Sequence, residues 1–356
     1  MADVVRAALV GAGGYSGKHL APHIPDFTNL RYVVVCDVNS RAARRVAKRI
    51  GAEAVARDLA EVLARDDVDM VDLQTPNFLH AEQAVAAFAA GKHVLSQKPM
   101  ATTVEDAKRM IRAGREADRR LGVYIDDLND PLLWDMKAAL DGGFVGRPVG
   151  FRMRYAHQGG LRLAEEAWRR QAANVGGGCF ILLTVHYVNA IAWLLGTRVR
   201  RVTGLMKTLM APMEGDDTAE GVLELETGLV GAAGASYLSV GCPTLPKTFL
   251  EVSGVEGVIR YQQDERMLVL YSRSQTFRGA CGSYEEPGRT VRLRRARRTL
   301  RRPTLHEQFA ASILGGSPQL TPGEAGLHDL AVCQALEASS REGRAVDVSA
   351  FIGGPA

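Results

Sequence analysis

The first third of the chain alternates short apolar runs with amphipathic stretches. Arg6–Val10, Tyr32–Cys36, Val68–Leu73, His93–Ser96 and Val123–Ile125 are apolar or β-branched runs and read as strands, with a shorter one at Glu53–Val55. The stretches between them read as helices. One begins at KHLAPHI, RAARRVAKRI stops at Gly51, Leu59–Ala64 is short, and AEQAVAAFAA stops at Gly91. Thr102–Asp118 is opened by Thr103 with Asp106 three residues on, in capping-box style. Strands with little alternation, separated by helices, predict a parallel sheet covered on both faces. The second half is patterned differently. Val149–Tyr155, Val199–Thr208, Ala219–Glu226, Leu229–Tyr237, Phe249–Ser253 and Gly257–Tyr261 read as strands. Several alternate apolar with polar residues, as a sheet with one covered face requires.

Length supports two domains, because 356 residues exceed the ~250–300 at which single cores stop growing. The boundary falls where the parallel pattern ends, giving 1–124 and 125–356. No run of about 20 apolar residues is seen, so no membrane partner is expected. The start, MADVVRAALVGAGGYSG, feeds a glycine loop and lacks a secretory layout, which predicts a cytoplasmic location. Cys36, Cys179, Cys242, Cys281 and Cys333 are odd in number, spread out and free of a C-x-x-C pair. They predict neither a disulfide framework nor a metal site. Net charge is +4. The basic run RLRRARRTLRRP, from Arg292 to Pro303, carries Leu293, Ala296 and Leu300 but no aromatic residues for base stacking. It reads as a solvated segment, and no nucleic-acid partner is expected.

The informative residues lie at predicted strand ends, where α/β sheets bind ligands. Gly11-Ala12-Gly13-Gly14-Tyr15-Ser16 matches G-x-G-x-x-(small) between a strand and a helix. Gly11 permits the tight turn, Gly13 and Gly14 admit a pyrophosphate, and Ser16 lets strand and helix pack closely. Asp37 ends the second strand, placed to accept hydrogen bonds from the adenine ribose and to repel a 2′-phosphate. Arg41, one turn on, partly offsets that repulsion. The reading is a Rossmann dinucleotide domain that takes NAD, with NADP possible. In VLSQKPM, Pro99 fixes the backbone after Lys98, so the ammonium is aimed from the end of a strand.

Several segments together resemble the glucose–fructose oxidoreductase / inositol dehydrogenase (Gfo/Idh/MocA) family. They are GAGGYSGKHL, TPNFLH, AGKHVLSQKPMATTVEDA, VGGGCFILLTVHYVNAIAWLLG and the tail GEAGLHDLAVCQALEASSREGRAVDV. The resemblance implies a doubly wound Rossmann sheet followed by an α/β domain with an open, mostly antiparallel sheet. It also implies a homo-dimer or homo-tetramer formed through that sheet. It places Tyr15, Thr75, Pro76, Asn77, His80, Gln97 and Arg169 with the cofactor, Arg169 belonging to a W-R pair with Trp168. The lysine of its Glu-Lys-Pro motif maps onto Lys98, and Gln97 stands where the glutamate is usual. Its G-G-G-x-x-x-Asp-x-x-x-His pattern maps onto Gly176-Gly177-Gly178 and His186, with Leu182 in the aspartate position. Asn189 stands where a further aspartate often occurs. All three departures remove negative charge.

The resemblance implies hydride transfer between a nicotinamide and a sugar, glycoside, cyclitol or polyol hydroxyl or ketone. His186 is the natural acid/base, and Lys98 holds the substrate oxygen and steadies alkoxide charge. With Leu182 apolar, replacement acid/base or substrate groups are sought at Tyr237, His157 and Asp126 or Asp127. Two other readings remain: a glycoside-cleaving enzyme using transient oxidation, and a non-catalytic dinucleotide or sugar sensor.

Overall fold

The computed structural model describes residues 4–159, 167–210, 212–239, 247–294 and 302–353. Most of the basic run, residues 295–301, and Cys242 lie outside the described residues. Two compact units are present: Met1–Ile125 with Pro303–Leu327, and Asp126–Arg302 with His328–Ala356.

The first unit is built on six strands: β1 (Val5–Val10), β2 (Leu30–Cys36), β3 (Ala54–Ala56), β4 (Met70–Leu73), β5 (His93–Gln97) and β6 (Leu121–Tyr124). Their order is β3-β2-β1-β4-β5-β6, and every pairing is parallel. All of β4 and β6 is buried, which is why these strands carry apolar runs instead of alternation. Local chemistry sets the helices between them. The Asn39 side chain accepts from the amides of Arg41 and Ala42 and opens helix Ser40–Ile50, which ends at Gly51 with φ 72°. Thr103 Oγ1 accepts from the Asp106 amide at 3.1 Å and opens Val104–Glu116.

Residues 303–327, which the sequence pattern leaves with the second domain, pack into the first unit. Helix Leu305–Ile313 begins with a full capping box between Thr304 and Glu307. Glu307 Oε1 also accepts from the amide and hydroxyl of Thr28, 279 residues earlier in the chain. A short helix with no strand pattern gives no sign in sequence of which core it joins.

The second unit carries nine of the remaining strands: β7 (Pro148–Ala156), β8 (Val199–Lys207), β9 (Thr218–Leu225), β10 (Val230–Ser236), β11 (Phe249–Gly254), β12 (Gly257–Gln262), β13 (Met267–Ser272), β16 (Val291–Arg294) and β17 (Val346–Asp347). A separate hairpin, β14 (Phe277–Arg278) with β15 (Ser283–Tyr284), completes the set. The nine strands run in the order β16-β13-β12-β11-β7-β10-β9-β8-β17, antiparallel except for β7 beside β10. Phe151, Met153, Leu223, Ala233 and Val252 are buried, whereas Leu205 and Val222 are exposed. The sheet is therefore mixed, mostly antiparallel, and covered on one face.

One apolar stretch, Ala172–Leu195, is long enough to cross a membrane, contrary to the sequence expectation, but 83% of it is buried inside the protein. It is a core helix. Its start depends on the triple glycine. Gly176 and Gly177 have φ 88° and 144°. A Cβ on Gly178 would lie 2.2 Å from the backbone of Asp216. That closeness lets the buried Asp216 carboxylate accept from the Phe180 amide at 2.9 Å and the Cys179 thiol at 3.0 Å. Burial pushes the carboxyl of Asp216 up from its ordinary value.

Two predictions follow from this packing. Gly178→Ala forces backbone apart and is expected to cost about 1–3 kcal/mol, read as a lower urea midpoint. Burial, followed by the charges of Arg119 and Arg120, lowers His93 to about 4. Its neutral Nδ1 accepts from the Arg120 amide at 2.9 Å. A depressed folded pKa gives stability that is present above the free-imidazole range and is lost as pH falls toward 4. The stability difference between wild type and His93→Gln should shrink over that acid window and stay flat above it.

Candidate active site

In the first unit, Gly11 has φ 104°, and a Cβ there would lie 2.6 Å from the Gln74 carbonyl oxygen. Only glycine lets β1 turn this close to β4. Ser16 is buried beneath the loop, and its hydroxyl donates to the Gly11 carbonyl at 2.7 Å. Gly13 and Gly14 are exposed with open space at both Cβ positions. The half-buried Asp37 carboxylate accepts from the amides of Ala12 and Asn39, each at 2.7 Å. The next residue, Val38, is 92% exposed. An open glycine turn, a carboxylate tied to it with lone pairs to spare, and an exposed apolar side chain beside it fit a dinucleotide. Arg41 is exposed on the helix that follows, and its amide serves the Asn39 cap.

At the ends of β4 and β5 a polar network runs through the unit. The Lys98 amide donates to Gln97 Oε1 at 2.8 Å. Gln97 Nε2 donates to Gln74 Oε1 at 3.3 Å, and Gln74 Nε2 donates to Asp72 Oδ1 at 2.7 Å. Asp72 is fully buried, and its other oxygen accepts from the Tyr32 hydroxyl at 2.5 Å. His306 Nε2 lies 3.2 Å from that same oxygen. Burial, with Asp72 close by, pushes the Tyr32 hydroxyl well above its ordinary pKa, so it remains a donor. The negative charge that the resemblance places at position 97 stands two hydrogen bonds deeper, at Asp72. Gln97 suits the network because a carboxylate there has no hydrogen to donate to Gln74.

The second unit holds a separate cluster. His186 opens helix Val185–Leu195, directly after a wide π turn at Phe180–Thr184. Its Nδ1 lies 3.0 Å from Asp126 Oδ1 and 2.8 Å from Asp127 Oδ2. Both aspartates sit on the single turn Asp126–Asn129. The Asp127 side chain is fully buried, and that of Asp126 is 37% exposed. Gln263 Nε2 donates to the other oxygen of Asp127. Tyr155, on β7, stacks on the imidazole with centroids 5.2 Å apart and planes 27° apart. Burial first, then Asp127 and Asp126, push the Tyr155 hydroxyl well above its ordinary pKa. Asn189 Nδ2 donates to the buried Asp329 carboxylate at 2.8 Å. Burial raises the pKa of Asp329. The carboxylates absent from positions 182 and 189 are thus supplied by Asp126, Asp127 and Asp329.

Several residues proposed from sequence have other surroundings. His80 is fully buried, with Nε2 2.9 Å from the Thr75 carbonyl and Nδ1 3.1 Å from the Pro99 carbonyl. It ties the two strand-end segments together and has no surface left for a cofactor. Thr75 Oγ1 donates to Gln83 at 2.5 Å, with Pro76 half-buried and Asn77 buried beside it. Tyr237 is buried against His157 with centroids 5.2 Å apart, and burial pushes its hydroxyl pKa up, so it is ill suited to exchange protons. Tyr155, not Tyr237, meets His186. His157 Nδ1 accepts from the Gly159 amide at 2.7 Å. Arg169 lies over the Trp168 ring at 4.9 Å, and Tyr15 pairs with His19 at 5.3 Å. Leu182 is buried. Sequence reasoning missed Asp72, Gln74, Tyr155 and Asp329. Asp72 had a signal: a carboxylate inside a four-residue apolar strand is rarely there without a partner.

Comparison with known proteins places these features in context. Residues 5–125 match a model described as an oxidoreductase family with an NAD-binding Rossmann fold, and residues 133–260 match a GFO/IDH/MocA C-terminal domain. The chain is 28% identical over 349 residues to D-apiose dehydrogenase of Paraburkholderia graminis, covering 97% of this chain and 90% of that protein. It is 30% identical over 298 residues to 1,5-anhydro-D-fructose reductase of Ensifer adhaerens, covering 81% and 82%. Among solved structures, levoglucosan dehydrogenase in complex with NADH and levoglucosan superposes with a TM-score of 0.83 at 23% identity, covering 97% and 100%.

The Gln97 network yields a direct test. Gln97→Glu sets two acceptors on either side of one Gln74 amide and is expected to destabilise the protein by about 1 kcal/mol or more near neutral pH. Adding Asp72→Asn should return part of that loss, measured as a double-mutant cycle of urea midpoints.

Proposed function

Because the chain belongs to the GFO/IDH/MocA family of oxidoreductases and carries an NAD-binding Rossmann domain, we propose that its substrate is a sugar, glycoside, cyclitol or polyol. On this reading hydride passes between the nicotinamide and one CH–OH or C=O carbon. NAD, when bound, supplies the hydride acceptor or donor. Gly13 and Gly14 leave room for its pyrophosphate, and Asp37 faces its adenine ribose, which favours NAD over NADP.

The protein's part is placement and proton handling. Lys98, set by Gln97 at the end of β5, holds the reacting oxygen and steadies developing alkoxide charge. His186 takes the hydroxyl proton in oxidation and returns it in ketone reduction. The observation that carries the hydroxyl-rich substrate class is Asp126: a half-exposed carboxylate beside His186 accepts hydrogen bonds from neighbouring hydroxyls and opposes anionic groups. Leu182 adds an apolar wall to the same helix. The relatives are dehydrogenases and reductases, which weighs against the glycoside-cleaving and sensor readings. We further propose that copies associate through the outward face of the nine-stranded sheet, where Leu205 and Val222 are exposed.

Neutral sugars, glycosides and cyclitols screened with NAD, following absorbance of the reduced nicotinamide, test this reading. Turnover is expected with a neutral polyol. Lys98→Ala and His186→Ala should each lower kcat by about 100-fold or more. Full activity in both variants would remove the assigned roles. Asp37→Ala should narrow the preference for NAD over NADP, and unchanged discrimination would show that Asp37 does not set it.

A further inference from the structure

One imidazole nitrogen faces two carboxylates, and those carboxylates differ. Asp127 has no exposed side-chain surface, lies closer to Nδ1 at 2.8 Å, and is gripped from behind by Gln263. Asp126 lies at 3.0 Å and is part-exposed. A neutral imidazole carries one N–H, and its hydrogen-bond partner decides which nitrogen holds it. A carboxylate only accepts, so the Nδ1 that faces Asp126 and Asp127 must be the donor. Tyr155 closes the ring face from β7, and the buried Asp329 lies farther along the same helix, at Asn189.

We infer that Asp127 is the positioning residue of His186: it accepts the Nδ1 hydrogen, fixes the tautomer, and leaves Nε2 as the atom that exchanges the substrate proton. In this way a loop carboxylate supplies what Leu182 does not. The inference deepens the proposed function and rests on its assignment of His186. An aspartate held by Gln263 cannot swing away, so the imidazole keeps one orientation through the reaction. Substituting asparagine offers Nδ1 either an amide donor or a weaker neutral acceptor, and the preference for the Nδ1–H form is lost.

The test is tautomer assignment in the full-length protein. Long-range proton–nitrogen correlation spectra are recorded at about pH 8, above the free imidazole range. The His186 signals are those lost in His186→Gln. Wild type should show a protonated Nδ1 and a bare Nε2. Asp127→Asn should move the proton to Nε2, Asp127→Glu should retain it on Nδ1, and Asp126→Asn should leave it there. If Asp127→Asn does not fold, Gln263→Leu decides, and it should lower the Nδ1-protonated fraction. An Nε2–H form in wild type, or no change in Asp127→Asn, overturns the inference. NADH formation with the screened polyols separates the two ideas. Full turnover in His186→Gln sinks the proposed function while leaving the tautomer result standing. Loss of turnover alongside an Nε2–H wild type sinks the positioning role alone.

Discussion

A group that exchanges protons works only if its hydrogen and its orientation are fixed, and a buried imidazole cannot fix them alone. Here the fixing contact is the pairing of His186 Nδ1 with the two aspartates of the turn that opens the second unit. The surrounding elements serve that contact. The triple glycine lets the helix start against Asp216, β7 brings Tyr155 over the ring, and Gln263 holds Asp127.

The first unit solves a related problem for Lys98. Its backbone hangs from Gln97, then Gln74, then the buried Asp72. A neutral chain of two amides conveys hydrogen-bond direction from a charge held safely within the sheet. His80 ties the neighbouring segments at the carbonyls of Thr75 and Pro99. In both units the acidic residue has left the position the family pattern gives it and returned on a different element within hydrogen-bonding reach. Asn189 and Asp329 repeat the move. Charge near the reacting groups is retained, although its address in sequence changes.

Much of this was legible beforehand. The parallel sheet followed from apolar runs, and the glycine turn from its place between β1 and a helix. Asp37 was read correctly as the carboxylate at the end of β2, and its hold on Ala12 adds the loop to its role. What remained hidden had a physical cause. Leu182 read as a missing acid because helix spacing shows only partners four residues away, whereas Asp127 arrives from 59 residues earlier. Asp126 and Asp127 were named only as one option among several, since nothing in DDLND tells which carboxylate turns inward. His80 was taken for a cofactor contact because motif position reveals nothing of burial, and Tyr237 was preferred to Tyr155 for the same reason. The segment 303–327 carries a capping box but no periodic signal of the core it joins.

Joint neutron and X-ray diffraction from deuterated crystals grown at about pH 8 tests the account where it is most exposed. Nuclear density would locate the deuteron on His186 directly. The account predicts it on Nδ1, shared toward Asp127, with Nε2 bare. A deuteron on Nε2, with Nδ1 bare and a protonated carboxyl at Asp127, would contradict it.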